Sequence, residues 1–485
     1  MPKIITVPLI IRGHVIEDNL IEFGGRGGGL TFRTPDVNQY FDQIVLRDPS
    51  DIRDLYGLTM DEILDYLEAL GPRLSIKTNR YMQEALEASI AVSGMSPDIL
   101  NFMYESQTHA VNRAHIREMI DAVFVEPYLE RWVDRRLSDR NIKVRAFGSR
   151  MVHLNPGNAV VIALQSIMNT ALLRGDSIIK NPSNDPLTAA AIARTMIEMA
   201  PDHPITRHIT VAYWKGGDTA FEKRLYRPAN IEKIIAWGGE SSMQHIRNHL
   251  GPGIDLIALD PKNSCSLIGA DAFASEASMR NVASLLARDV GFLNQETCAS
   301  TRTAFIESGI DEADMDKLNR FGQMVYEELQ RLPKEFSSNN HPSFSAVLRD
   351  EIDGVRHSPY FKVFGCKENE GGVVVSQENE IADFAEHLSG RVVNLIPVDK
   401  IEDAYYGITI YTQSISIYPE ALKDKVRDEC AWRGAQRLTS LGCSTAGSFS
   451  QPHDGMEPLR RMARWLVIEE FDEKQFGNSG LMYGG

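Results

Sequence analysis

Cys298 stands in the segment Asn294-Gln295-Glu296-Thr297-Cys298-Ala299-Ser300-Thr301-Arg302, among amide, hydroxyl and small side chains. A helical pattern from Met279 to Val290 and the apolar run Gly291-Phe292-Leu293 precede it, and a strand-like run from Thr303 to Ile306 follows. A thiol on a polar loop between two regular elements is presented to a ligand, whereas a structural cysteine lies inside an apolar run. Cys298 therefore reads as a nucleophile, against the alternative of a small buried space-filler. A second group of residues suits an anion. Gly238 and Gly239 end a strand-like run and precede a helical pattern from Ser241 to Leu250. Capping by Ser241 or Ser242 would bring helix N–H groups to a phosphate, and a plain tight turn is the other reading. His453 and Asp454 lie on a predicted loop. An imidazole there either carries a proton or makes a structural hydrogen bond.

These residues need elements to hold them. Residues 1–50 read as β-rich. From Thr59 to about Leu137 the pattern is helical, with breaks near Gly71-Pro72 and Ser96-Pro97, and Asn141 to Val152 reads as extended chain. Strands are then expected at Ser177–Lys180, Ile209–Trp214, Ile231–Trp237 and Ile254–Leu259, with helices at Leu187–Met199 and Ser241–Leu250 between them. Strands separated by helices imply parallel βαβ units with a ligand at the strand carboxyl ends. A second α/β region runs from about Ala270 to Leu441, and Arg464–Phe471 reads as a closing strand. The run from Gly24 to Gly29 lacks the Lys-Ser/Thr ending and following helix of a phosphate loop, so it reads as a flexible turn.

With 485 residues the chain can bury two or three domain cores, and its 43% apolar content is that of an ordinary globular protein. A net charge of −15 argues against nucleic acid or an anionic membrane as main partner. The five cysteines, Cys265, Cys298, Cys366, Cys430 and Cys443, are widely spaced and include no CxxC pair. That pattern suits reduced thiols in a cytoplasm better than a disulfide framework or a zinc site. The apolar run Ile4–Ile11 is short and no small-residue cleavage site follows, and no stretch has the length of a membrane span.

Taken in order, five motifs resemble the aldehyde dehydrogenase superfamily, and more closely its fatty acyl-CoA reductase branch, the LuxC family of bacterial luminescence operons. They are Pro156-Gly157-Asn158, where the superfamily has Pro-Trp-Asn; Lys180 to Ala189; Trp237-Gly238-Gly239-Glu240; Asn294 to Cys298; and Pro452-His453-Asp454-Gly455 with Pro458-Leu459-Arg460 and Trp465. The resemblance covers roughly residues 140–470. It implies an α/β fold with a Rossmann-type dinucleotide-binding domain from 1–130 and 150–262, a catalytic domain at 263–445, and a small β oligomerisation arm from 131–149 and 460–475. Cys298 would face the cofactor in the interdomain cleft, and the chain would form a homo-oligomer.

The resemblance also implies roles. Asn158 would help form the oxyanion hole, Lys180 would bind the adenosine ribose, and Gly238-Gly239 would let the backbone approach the pyrophosphate. Ser183 stands where NAD-preferring relatives often carry glutamate, and Lys215 adds a positive charge at the next strand end, so NADPH is the expected cofactor. A solvated surface role is the alternative for Lys215. His453 would protonate a leaving thiolate or merely hold structure. The glutamate that activates water in ordinary aldehyde dehydrogenases appears to be replaced by Ala258, within Ala258-Leu259-Asp260-Pro261-Lys262. A thioester on Cys298 would then resist water, which suits reduction of a long-chain acyl-CoA or acyl-protein thioester to aldehyde, with acyl-transferring multienzyme partners. Two alternatives stand beside it. One is an oxidative NAD(P)-dependent aldehyde dehydrogenase with Asp260 as the base. The other is a subunit that only carries acyl groups.

Overall fold

The computed structural model describes residues 4–24, 31–138, 140–341, 344–447 and 450–471. The Gly25–Gly29 part of the glycine run, and residues 472–475 of the expected arm, lie outside the described residues. The chain divides into two compact units: residues 1–92, 104–260 and 449–485 form the first, and 93–103 with 261–448 the second.

The first unit is built on a sheet of seven strands among the described residues. In chain order they are β1 (Leu9–Ile11), β2 (His14–Ile16), β3 (Arg150–Leu154), β4 (Asp176–Lys180), β5 (Ile209–Ala212), β6 (Lys233–Trp237) and β7 (Asp255–Leu259). Their order across the sheet is β7-β6-β3-β4-β5-β1-β2. The pairs from β7 to β5 are parallel, and β1 and β2 continue the sheet antiparallel. Runs such as Ser177-Ile178-Ile179 and Ile209-Thr210-Val211-Ala212 are buried throughout, as parallel strands covered on both faces must be. Helix α1 (Val161–Leu173) is buried from Ile162 to Leu173 apart from Gln165, which marks a core helix, and α2 (Thr188–Met199) buries its alanine face. The β1–β2 turn places Arg12 and Gly13 at φ 45° and 86°, the left-handed conformations that match strand twist in a two-residue hairpin. From that turn Arg12 grips both Asp176 carboxylate oxygens, at 2.9 and 3.1 Å. Asp176 and Asp54 in turn hold the two ring nitrogens of buried His208, at 3.0 and 2.8 Å.

The expected helical region is confirmed as four helices, Met60–Leu70, Arg80–Val92, Pro97–Ala110 and Arg113–Val123, and shortened at its end. A capping box of Thr59 and Glu62 starts the first. Val133–Arg136 is a strand instead of helix, because it pairs antiparallel with Asn141–Val144. Trp132, Val133 and Leu137 have helix-like spacing, so only the tertiary pairing distinguishes the two. Arg464–Phe471 pairs along the whole of Arg140–Phe147, giving a three-stranded sheet. Leu466, Val467 and Ile468 are exposed there.

The second unit holds another sheet of seven described strands: β8 (Asn263–Ile268), β9 (Thr301–Ile306), β10 (Phe361–Gly365), β11 (Gly372–Ser376), β12 (Val392–Pro397), β13 (Thr412–Tyr418) and β14 (Arg437–Ser440). Their order is β10-β11-β12-β9-β8-β13-β14, with only the edge strand β10 antiparallel. Helices α3 (Glu276–Gly291) and α4 (Glu312–Arg331) bury Leu286, Val290, Phe321 and Val325 with Val373, Val393 and Leu395 of the sheet. The loop between α3 and β9 carries Cys298.

Candidate active site

Within the first unit, four sequence-predicted positions follow the carboxyl ends of four adjacent parallel strands: Asn158 after β3, Lys180 at the end of β4, Lys215 after β5 and Gly238-Gly239 after β6. That edge is where open α/β sheets bind ligands. Lys180 extends its ammonium over the Tyr213 and Trp214 rings, 5.6 Å from each centroid. Burial pulls its pKa down to about 8, against the opposing pull of Glu222. No ion pair holds Lys180 among the described residues. Glu222 is engaged behind it, accepting the Trp214 indole N–H at 3.0 Å and holding His245 Nε2 at 2.6 Å.

The turn after Lys180 is fastened to the Asn158 loop. Asn184 donates its side-chain amide to the Gly157 carbonyl at 3.2 Å. Asp185 accepts from the Thr188 N–H and hydroxyl at the start of α2, and Thr188 also meets the Tyr104 hydroxyl at 2.6 Å. Ser183 is half-buried on this turn, and Lys215 is exposed. The helix after β6, Glu240–His249, has Gly239 at its cap, and no side chain accepts from its first turn. Ser241 and Ser242 lie inside the helix, which corrects their expected capping role: the helix starts two residues earlier, directly after the glycines. A Cβ on Gly239 would stand in open space. His453 packs its ring 5.6 Å from Trp237, next to Gly238, and its backbone closes a tight turn with Met456.

In the second unit the chain turns sharply into the thiol loop. Leu293, Asn294 and Gln295 take φ of 49°, 52° and 67°, three consecutive left-handed residues. Such conformations cost about 1–3 kcal/mol each and persist only where surrounding contacts hold them. Here Gln295 donates to the Thr301 and Val392 carbonyls at 2.7 Å each and accepts the Val392 N–H at 3.0 Å. Asn294 accepts the Ser338 N–H at 2.7 Å, and Leu293 N–H reaches the Phe336 carbonyl at 2.7 Å. Glu296 meets His341 Nε2 at 3.1 Å. Ser300 N–H closes a turn on the Thr297 carbonyl at 3.1 Å, with Cys298 and Ala299 between them. Ser264 on β8 donates its hydroxyl to the Cys298 carbonyl at 2.7 Å. Cys298 is half-buried, whereas Cys265, Cys366 and Cys430 are buried and Cys443 is half-buried on another loop. Burial pushes the Cys265 and Cys366 thiols up to about 12, so both are poor nucleophiles.

Ala258 lies on β7 and carries no acid–base group, and Asp260 just beyond it pairs with Arg247 at 3.2 Å. Asn184, Ser264 and the Trp214–Glu222–His245 chain received no role from sequence. Asn184 sits inside a recognised motif, which was a usable signal. Ser264 and Glu222 touch partners far away in sequence or on another element, and no spacing reveals that.

A reactive-type thiol on a strained loop of one α/β unit, and an anion-suited strand edge in another, define the chain as an enzyme of the aldehyde dehydrogenase fold. Solved structures agree on the fold: aldehyde dehydrogenase 21 from Physcomitrella patens aligns over 98% of this chain and 99% of its own with a TM-score of 0.73 at 12% identity. The NADP-dependent glyceraldehyde-3-phosphate dehydrogenase of Bacillus halodurans aligns over 96% and 99% with a TM-score of 0.71 at 13% identity. The chain belongs to the acyl-CoA reductase (LuxC) family, whose model matches residues 55–465. It is similar to the long-chain acyl-protein thioester reductase of Vibrio harveyi, 27% identical over 96% of this chain and 93% of the relative. The protein of the same name from Photorhabdus luminescens is 30% identical over 70% of this chain and 67% of the relative. It is accordingly an aldehyde-forming oxidoreductase.

Proposed function

We propose that the protein reduces a long-chain acyl thioester, carried on CoA or on a protein, to the aldehyde through an acyl group held on Cys298. The observation that carries this reading is the thiol loop: a half-buried cysteine on a turn locked by Gln295 and Ser264, in a family of acyl reductases. The Cys298 thiolate attacks the acyl carbonyl carbon, and the bond to the carrier sulfur breaks as the carrier leaves and takes up a proton. Asn158 and the Cys298 backbone N–H are assigned as oxyanion donors, each worth about 100- to 1,000-fold in rate. A bound nicotinamide supplies the hydride that reduces the acyl carbon. The carbon–sulfur bond to Cys298 then breaks, releasing aldehyde and the thiolate. His453 is assigned as a proton donor to the leaving carrier.

The first unit's strand edge suits a dinucleotide. The uncapped helix after Gly239, the open space at that glycine and the unpaired Lys180 ammonium are what a pyrophosphate and a ribose would meet. NADPH is the proposed form, because Ser183 brings no carboxylate against a 2′-phosphate and Lys215 is an exposed cation. The Ala258 position offers no base for hydrolysis and Asp260 is held by Arg247, which favours reduction over acid release. The domain roles carry over as proposals: residues 1–130 and 150–262 bind the cofactor, 263–445 carry the chemistry, and the arm of 131–149 and 460–475 joins copies of the chain. The exposed Leu466-Val467-Ile468 run supports the last of these.

The test is intact-protein mass spectrometry after mixing with long-chain acyl-CoA and no reductant. A slowly hydrolysing acyl adduct, removable by hydroxylamine and absent from Cys298→Ala, is expected. NADPH should then release aldehyde. Rapid release of free acid would instead support the oxidative alternative. An adduct that never reacts with a nicotinamide would support a carrier role.

A further inference from the structure

Arg302 is the second residue of β9, four positions after Cys298, and begins the strand into which the thiol loop returns. Its Nε donates to the Leu388 carbonyl at 2.9 Å, which fixes the plane of the guanidinium. Its Nη1 is buried and makes no hydrogen bond. Among the described residues no carboxylate within ion-pair distance neutralises it, since Glu296, the nearest acidic side chain in sequence, is engaged by His341. A buried guanidinium with an idle N–H and no paired anion is costly to keep in a fold unless an anion completes it. The charges that act on Arg302 are, in order, those of Cys298 and Glu296, both favouring the cation that burial opposes.

We propose that Arg302 is the counter-ion of a resting Cys298 thiolate, so that the nucleophile is formed before substrate arrives. The inference rests on the reading of Cys298 as nucleophile. It answers the question left by Ala258, where the chain has no carboxylate to take the thiol proton. The proton goes to solvent before the acyl group binds, no base is needed at the moment of attack, and Arg302 acts through its field on the sulfur without entering the reaction. The titratable groups around the pair are Glu296 on the loop and His341 bonded to it. Ser264 on the neighbouring strand contributes only a neutral hydroxyl to the Cys298 carbonyl.

The experiment is the rate of iodoacetamide alkylation of Cys298 against pH in the full chain, read by peptide mass spectrometry so that Cys443 is counted separately. In the wild type the midpoint should fall clearly below the ordinary thiol value of about 8.5. Arg302→Met should raise it by at least about one unit, a ten-fold loss of thiolate near pH 7. Arg302→Lys should restore part of the shift, although it loses the bond to Leu388; a merely structural arginine would give equal effects in both. A wild-type midpoint at or above the ordinary value overturns the proposal even if neither variant folds. A low midpoint in a protein that takes no acyl group from acyl-CoA keeps the counter-ion and removes the acyl-reductase reading.

Discussion

Asn184 occupies the space that any residue larger than glycine would need at position 157. Its amide donates to the Gly157 carbonyl at 3.2 Å, and a Cβ on Gly157 would meet Asn184 Oδ1 at 1.7 Å. This pair explains the departure from the Pro-Trp-Asn pattern: the tryptophan position has given way to glycine where an asparagine from the next strand end crosses over. Gly157→Ala should therefore displace the Asn158 loop and lower acyl reduction by ten-fold or more. Asn184→Gly in the same chain should recover part of the loss. Coupling in a double-mutant cycle of about 0.5–3 kcal/mol is expected for such a contact, and simple additivity in rate and in thermal unfolding would refute it.

Gln295 should be a stability residue before it is anything else. Gln295→Ala leaves the buried Val392 N–H and two carbonyls without partners and keeps a β-carbon at φ 67°. A loss of about 2–4 kcal/mol in urea unfolding is expected. Gln295→Gly removes the same bonds but relieves the left-handed strain, so it should be the less destabilised of the two by about 1 kcal/mol. The opposite ranking would mean that the loop relaxes out of this conformation.

The His208 cluster predicts a pH dependence with a definite sign. Burial lowers the His208 pKa, but Asp176 and Asp54, one on each ring nitrogen, outweigh it and leave the folded value raised. The folded protein therefore holds this proton more tightly than the unfolded chain does. The stabilisation is complete below the unfolded pKa of about 6.5 and is lost as pH rises through the folded value. His208→Gln should flatten that part of a stability–pH curve measured by thermal melting. An unchanged slope would show that the ring stays neutral between its two carboxylates.

Lys180 and Ser183 give two handles on the cofactor. With its pKa pulled to about 8, the unliganded Lys180 ammonium is present below that pH and fades above it. NADPH affinity should fall as pH rises through about 8 in the wild type and stay level over the same range in Lys180→Arg. Ser183→Glu should weaken NADPH much more than NADH, since a carboxylate repels a 2′-phosphate. Equal losses for the two in a fluorescence titration would show that position 183 does not read that group.

The arm strand can be tested by size. Leu466→Glu together with Ile468→Glu replaces two exposed apolar side chains on one strand and breaks no described core contact. Light scattering should show a smaller assembly than for the wild type, with the acyl adduct on Cys298 still forming. An unchanged mass would place self-association elsewhere on the chain.

The alternating β and α pattern, the Cys298 loop and the Lys180–Ala189 turn were legible in sequence, because each rests on local spacing or on contiguous residue types. The end of the helical region was not: Trp132, Val133 and Leu137 satisfy helix and strand spacing alike, and only pairing with Asn141–Val144 decides. The start of the helix after Gly239 was misjudged because serine is a strong capping residue, while here a bare glycine holds the cap. Asn294 and Gln295 were read as part of a nucleophile motif, yet their left-handed backbone is set by Ser338 and Val392, distant in sequence. Arg302 looked like an ordinary strand residue; its unpaired guanidinium exists only once Leu388 and the thiol loop are packed around it.

The pairing of Arg464–Phe471 with Arg140–Phe147 carries a consequence for how the protein is made. The two strands are separated by roughly 300 residues, which a ribosome adds in about 15–60 s at ordinary elongation rates. During that interval the earlier strand has left the ribosome and one of its edges has no partner. The first unit's core also waits, because the Met462 carbonyl accepts the buried Ser149 hydroxyl and Trp465 packs against Tyr128. The second unit, drawn mostly from one continuous stretch, is complete well before the first can close. A nascent chain is therefore exposed longest at Arg140–Phe147, where arginine and lysine at 140, 143 and 145 put charge along the open strand and discourage its pairing with a neighbouring chain.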